Sequence, residues 1–360
     1  MNIKRKYKEG YKHIYIICSF LSGIPRNIIC SKCFFFLGPM PVNLDRVSLL
    51  NLFRKEHFIL EKSDGIRYLF SYDSKKFSII DRTLKSHNIF PHKNWREKSL
   101  NLIDGELTFN LVLEKYKYLI YDAGIIKGDW RISSWDLYSR FRAVDNFLAF
   151  FYKEIYFKDK FFVGKLFFYK YNLKKILEAI SINYYTKEHV FFNVGINNLF
   201  HCNKNDGIIF SPLLVNYSLK TTCTTFKWKY EFENTMDLLI QNRNTSKITG
   251  VHSIYPITLA SMISKNKLFR MYKGKKLTLI YKNQLSSTRS SKKIGEFRYL
   301  QKKGSWVLKK YRFDKSNPNS FRVLCNTLKI ISESITRFEL IDSILKHQIR
   351  KERGKCSEKY

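Results

Sequence analysis

The chain lacks a long apolar run. Its longest N-terminal apolar stretch, His13 to Ile24, is too short and too interrupted to span a bilayer. That stretch follows a basic N-terminus as a secretory signal would, but no small-residue cleavage site comes after it. Cysteine is scattered and odd in number, seven in all. That argues against a disulfide framework and for a reducing compartment. Cys30 and Cys33 form one C-x-x-C pair with no second pair at zinc spacing, so they read as two semi-buried thiols. The eight histidines are dispersed, and His201-Cys202 reads as structural rather than as a ligand pair. No internal repeat is present.

Carboxylates are also in short supply, with 30 Asp and Glu against 65 Lys and Arg, a formal charge of +35. A surplus of that size predicts a polyanionic partner, nucleic acid first. An A/T-biased genome would raise Lys in the same way, together with the Phe, Tyr, Ile and Asn that abound here. Charge alone therefore leaves both a solvated basic surface and an RNA groove open. Lys4-Arg5-Lys6 reads as a nuclear address.

What is present suffices for two folded domains: 360 residues, 44% of them hydrophobic. From Phe58 to about Tyr230 short β-rich runs are joined by turns. Phe58-Ile59-Leu60, Ile66 to Phe70 and Phe77-Ser78-Ile79-Ile80 are strand candidates. Leu137, Phe141, Val144, Leu148 and Phe151 recur at helical spacing, as do Leu173, Ile176, Leu177 and Ile180, and both stripes read as core faces. From Glu231 to Asn319 short strands alternate with basic, Gly- and Ser-containing turns, which suits a small β-barrel. A last helical stripe (Phe321, Leu324, Leu328, Ile331, Ile335) precedes a polar basic tail expected to fray from Lys346.

Chemistry concentrates in Glu61-Lys62-Ser63-Asp64-Gly65-Ile66-Arg67, a turn between two strand candidates. A nucleophilic lysine must be neutral, while a free ε-amine titrates near about 10.4. Lowering that to about 7–8 costs roughly 3–5 kcal/mol, which burial and nearby cations can supply. Gly65 allows close backbone approach to a ligand, and Arg67 emerges on the next strand within reach of it. Alone, K-x-D-G is a weak signal.

Further motifs follow in order: Phe36-Leu37-Gly38-Pro39-Met40-Pro41-Val42-Asn43 before the lysine, then Leu102-Ile103-Asp104-Gly105-Glu106-Leu107, Tyr118-Leu119-Ile120-Tyr121-Asp122 and Asp206-Gly207-Ile208-Ile209-Phe210. Phe226-Lys227-Trp228-Lys229 and the stretch Trp306 to Asn319 complete the series. Together these resemble the covalent nucleotidyltransferases, and within them the eukaryotic mRNA capping guanylyltransferases, over about residues 36–345. The resemblance implies an α+β fold: an antiparallel-sheet nucleotidyltransferase domain over residues 36–230 and a C-terminal OB-fold β-barrel over 231–319. A helix at 320–345 is expected to pack back on the first domain, with a basic extension at 1–35 and a basic tail at 346–360.

The resemblance also implies roles. Lys62 attacks the α-phosphate of GTP, expels pyrophosphate and carries GMP to a 5′-diphosphate RNA end. Both steps are phosphoryl transfers in which positioning and charge neutralisation supply most of the catalysis. Lys227 and Lys229, two apart on one strand, would face the α-phosphate together. Arg67 and Glu106 would hold the ribose. Tyr121 would stack on guanine, with Phe90 a competing aromatic. Glu106 and Asp206 offer hard oxygen ligands for a divalent metal, Mg²⁺ or Mn²⁺. Arg312, Asp314 and Lys315 would take the β- and γ-phosphates, the barrel closing for the first step and opening for RNA.

Lys310 stands where the family has an arginine, which keeps the charge but loses the planar fork. Tyr230 and Met40 replace the usual proline and glutamine. An ATP-dependent polynucleotide ligase shares the lysine and carboxylate motifs and is the nearest rival. A catalytically silent RNA-binding relative would have lost Lys62, Glu106 or Lys227, and all three are present. The chain has no H-C-x-x-x-x-x-R phosphatase motif and no glycine-rich methyl-donor site, so an RNA triphosphatase and a cap methyltransferase are expected as separate proteins. The phosphorylated tail of RNA polymerase II is the expected docking partner.

Overall fold

Runs of Phe, Ile and Tyr broken by short polar turns form strands throughout the computed structural model. It describes residues 38–73, 76–81, 85–90, 99–154, 161–186, 188–194, 200–218, 221–230, 233–241, 253–255, 293–300, 305–313, 315, 318–319 and 321–357. The chain divides into two units: one runs to Trp228 and resumes at Ile341, and the other is Lys229–Leu340.

The first unit holds β1 (Met40–Asn43), α1 (Arg46–Arg54), β2 (His57–Ser63), β3 (Ile66–Asp73), β4 (Lys76–Ile80), β5 (Ser86–Phe90), β6 (Asn101–Asn110) and β7 (Lys115–Ile125). These are followed by α2 (Leu137–Glu154), β8 (Phe162–Gly164), β9 (Phe168–Tyr169), α3 (Leu173–Glu178), β10 (Ile180–Ile182), β11 (His189–Val194), β12 (Phe200–Pro212) and β13 (Thr221–Trp228). Seven strands make one sheet, ordered β1–β13–β12–β11–β10, with β2 added to β12 and β9 to β2. Six make another, β5–β4–β3–β6–β7–β8. The expected all-antiparallel pattern is corrected at two places, because β1 runs parallel to β13 and β8 parallel to β7. Both are short strands at sheet edges that arrive by long connections rather than hairpins.

Helix α2 packs on the six-stranded sheet. Phe70, Phe77, Ile103, Tyr118 and Ile120 from the strands meet Val144, Phe147, Leu148 and Phe151 from the helix in one buried cluster. The helix starts at Asp136, whose carboxylate accepts the Ser139 N–H at 2.9 Å, the capping geometry that satisfies an orphan donor. Its buried face is the stripe seen in the sequence: Leu137, Val144, Leu148 and Phe151 are all buried. Arg140, fully buried, ties the helix to β7 through Asp122, with Nε–Oδ1 at 2.7 Å and Nη2–Oδ2 at 3.0 Å. In the second stripe Leu173, Ile176 and Leu177 are buried on α3, while Ile180 opens β10.

The second unit contains β14 (Thr235–Gln241), β15 (Ser253–Tyr255), β16 (Lys293–Leu300), β17 (Ser305–Tyr311) and α4 (Phe321–Glu333), which packs on β14. Here the barrel expectation is corrected. The four strands form an open antiparallel sheet, β15–β14–β16–β17, and no described sheet closes into a barrel. Closure needs the two edge strands to pair with a fixed stagger, and β15, three residues long, pairs with β14 alone among the described strands. Residues 256–292 lie outside the described residues. The final helix, α5 (Arg337–Ser357), continues past Lys346, where fraying was expected. Within the first unit its His347 ring stacks on Phe53 of α1 with centroids 4.8 Å apart, a contact that composition does not reveal.

Candidate functional site

Strand β2 is buried at every position except Lys62, as expected of a strand covered on both faces. It lies in the seven-stranded sheet, its continuation β3 lies in the six-stranded one, and Asp64-Gly65 carries the chain between them. A Cβ at Gly65 would sit 2.6 Å from the Leu107 carbonyl oxygen and from Thr108 Cγ2, so only glycine fits this crossing. Lys62 is thereby held where the two sheets meet, opposite Gly207 of β12.

The Lys62 ammonium donates to Asp206 Oδ2 at 2.5 Å, with its side chain about one-fifth exposed (21%). Burial pushes its pKa down, but the Asp206 and Glu106 carboxylates outweigh burial and hold it above the ordinary 10.5. This corrects the expectation of a lysine lowered by burial and nearby cations. The groups closest to the amine are anions, and they keep it protonated.

A cavity of about 230 Å³ opens beside Lys62. Its walls include Arg67, Glu106, Tyr121, Lys165 and Lys227, drawn from both sheets, with Pro39 and Met40 at one side. Arg67 is fixed by Asp104 through both Nε–Oδ1 (2.9 Å) and Nη2–Oδ2, and by the Pro39 carbonyl at 2.9 Å. Burial works against the Arg67 charge, yet Asp104 outweighs it and raises the pKa. Tyr121 and Tyr217 also donate to Asp104, at 2.8 and 3.2 Å. Burial lifts the Tyr121 hydroxyl well above its usual pKa, so it remains a donor. Gly38 leads into this cluster at φ 142°, where a Cβ would collide with Arg67 and Asp104.

Glu106 is positioned from two sides. Its Oε1 accepts the Gly65 N–H at 3.2 Å and its Oε2 the Lys165 ammonium at 3.3 Å. Lys165, almost fully buried, also pairs with Glu61 at 3.2 Å and lies 5.6 Å from the centre of the Tyr121 ring. Glu61 in turn accepts from Ser63 at 2.7 Å and from Asn203 and Asn205 at 3.4 Å.

Of the residues singled out from sequence, Lys62, Arg67, Glu106, Tyr121 and Lys227 thus share one cavity, with Asp206 on Lys62. Lys229 is the first residue after β13 and the first of the second unit. In the second unit Arg312 and Lys315 converge on Asp237, and Arg312 and Lys310 on Glu296. Asn319 braces the same loop, exchanging backbone and side-chain hydrogen bonds with Asp237 at 2.9 and 2.6 Å. Asp314, the Phe90 side chain, Cys30, Cys33 and Lys4-Arg5-Lys6 lie outside the described residues. Sequence reasoning passed over Lys165, Glu61, Asp104 and Tyr217 as site residues. Asp104 had a signal, since it precedes Gly105-Glu106, whereas Lys165 and Tyr217 had none.

No cluster of three or more His, Cys, Asp or Glu able to cage a metal occurs among the described residues. Two carboxylates, Glu106 and Asp206, bear on Lys62, a donor set that fits Mg²⁺ bound partly by protein and partly by substrate phosphates. No described helix is long and apolar enough to cross a membrane.

Residues 21–231 match the family described as mRNA capping enzyme, catalytic domain, and residues 221–341 match the mRNA capping enzyme C-terminal domain. The mRNA-capping enzyme subunit alpha of Schizosaccharomyces pombe is 25% identical over 338 residues, covering 85% of this chain and 79% of that one. Among solved structures, the bacteriophage T7 ATP-dependent DNA ligase in complex with ATP aligns over 77% of this chain and 99% of its own, at 12% identity and a TM-score of 0.37. A mycobacterial DNA ligase D complexed with ATP and MES aligns over 78% and 96%, at 13% identity and a TM-score of 0.39. Overlaps that loose carry no weight for fold or function.

Proposed function

The chain belongs to the mRNA capping enzyme family, a branch of the covalent nucleotidyltransferases, and on that premise we propose that it is an mRNA guanylyltransferase. It transfers GMP from GTP, through a lysyl-GMP intermediate on Lys62, to the 5′-diphosphate end of RNA. The observation that carries this reading is the Lys62 ammonium, ion-paired to Asp206 in the wall of a cavity shared with Arg67, Glu106 and Lys227.

In the first step Lys62 Nζ gives up to solvent the proton that Asp206 holds on it. The freed lone pair forms a P–N bond to the α-phosphorus as the bond to the β-phosphate oxygen breaks and pyrophosphate leaves. In the second step an oxygen of the RNA diphosphate attacks that phosphorus, the P–N bond breaks, and Lys62 recovers its amine. Lys227 neutralises charge on the α-phosphate, and Arg67, held rigid by Asp104, and Glu106 orient the ribose. Tyr121 lies against the base. Lys229, Arg312, Asp314 and Lys315 keep the phosphate roles that the family resemblance gives them. Glu106 and Asp206 would hold a divalent ion, Mg²⁺ or Mn²⁺, which would neutralise phosphate charge. A separate RNA triphosphatase, the phosphorylated tail of RNA polymerase II and a nuclear location complete the reading.

Incubation with α-labelled GTP or ATP and a divalent ion tests it. Acid-labile label from GTP, retained on the denatured chain and lost in Lys62→Ala, is the expected result. Label from ATP instead identifies a polynucleotide ligase, and label from neither leaves an RNA-binding relative.

A further inference from the structure

The β10–β11 hairpin takes no part in the cavity, yet its tip displays two tyrosines to solvent, Tyr184 at 78% exposure and Tyr185 at 90%. Their rings stand edge to face with centroids 5.5 Å apart. The turn that carries them is well built. Asn183 Oδ1 accepts the N–H groups of Tyr185 and Thr186 at 2.9 and 3.0 Å, and the Asn183 N–H donates to the Glu188 carbonyl at 2.8 Å. Packing of the fold gains little from aromatic rings held this far into water.

Register places the tip relative to the nucleophile. Ile182 pairs with His189, the next residue Val190 pairs with Lys204, and the next, Asn205, pairs with Ser63. Strands β10 and β11 end at that row, whereas β12 runs on to Gly207, the partner of Lys62. The turn therefore projects toward the level of Lys62. It stands three strand spacings to one side, about 14 Å. Lys204 lies between them, its ammonium 2.7 Å from Glu188 beneath the turn.

We propose that Tyr184 and Tyr185 form a stacking platform for single-stranded RNA, receiving bases a few nucleotides downstream of the 5′ end that meets Lys62. The proposal rests on the RNA-capping reading above. Every base has a π face, so an aromatic pair grips RNA without reading its sequence, which suits a substrate defined by its end. RNA also matches the sign of the +35 charge. A protein partner could use the same tyrosines, and the test separates the two.

The Y184A/Y185A and Y184F/Y185F variants are compared with the parent in three assays: lysyl-GMP formation, GMP transfer, and direct binding of a fluorescent single-stranded RNA. Both variants are expected to take label from GTP as the parent does. In the alanine variant, affinity for the RNA falls about tenfold and the KM of a long 5′-diphosphate RNA rises to match, while a 5′-diphosphate dinucleotide is used unchanged. The phenylalanine variant retains parental behaviour because the ring faces remain. Equal RNA affinity in the parent and the alanine variant overturns the platform and leaves the tip to a protein. Equal loss with the dinucleotide overturns it as well, because a general structural defect then accounts for the change. A parent that takes no label from GTP overturns the capping reading, and direct RNA binding still decides the platform.

Discussion

Asp206 Oδ2 accepts from the Lys62 ammonium while Glu106 adds a second negative charge, so the amine loses its proton above its ordinary pKa. An anion stabilises the charged form, and removing it moves proton loss to lower pH. The rate of lysyl-GMP formation in Asp206→Asn, whatever its height, should therefore reach half-maximum at lower pH than in the parent. An unchanged midpoint would sink this account of the nucleophile. The sign for stability follows the same line: the raised Lys62 contributes fully below 10.5 and loses its contribution as pH rises through the folded value. Lys62, Arg67, Glu106, Tyr121 and Lys227 were legible as site candidates because each sits in a motif whose spacing survives in the chain. Lys165 was not. Gly164-Lys165-Leu166 carries no pattern, and its importance arises because β8 delivers it between Glu61 and Glu106, which lie far away in sequence. The direction of the Lys62 shift was hidden for a like reason, since Asp206 reaches it from 144 residues away.

At the scale of elements, the Arg140–Asp122 pair locks α2 to β7, with Arg140 fully buried and Asp122 nearly so. Removing one partner of such a pair strands a charge in a dry interior, at a cost of about 3–5 kcal/mol, while neutralising both is far milder. Arg140→Met should lose stability on that scale in chemical denaturation, and adding Asp122→Asn should restore part of it; an additive further loss would refute the pairing. Helix α2 itself was readable, because its stripe repeats at helical spacing. The barrel was misread for a physical reason. Short strands and turns are local properties of Thr235–Tyr311, whereas closure depends on which edges pair, and β15 and β17 stay at opposite edges of the described sheet. The polar composition after Lys346 likewise suggested a loose end, although the helix runs on to Ser357 and His347 stacks on Phe53.

For the whole molecule, the +35 charge sets how binding responds to salt. If it contacts RNA, log affinity falls linearly with log salt at about −0.7 per phosphate neutralised. Titration across a range of salt concentrations should give a slope equivalent to several phosphates, and a flat response would assign the excess lysine to codon bias. Those surface amines have a second property. Aldehydes and acyl donors react with neutral amines, and a chain rich in lysine presents many sites at which such damage can land. Lys62, whose pKa the ion pair with Asp206 raises, carries a smaller neutral fraction than a free lysine and reacts with these electrophiles more slowly. The contact that delays the nucleophile thus also slows its chemical damage, which matters most for the one lysine the reaction consumes and regenerates.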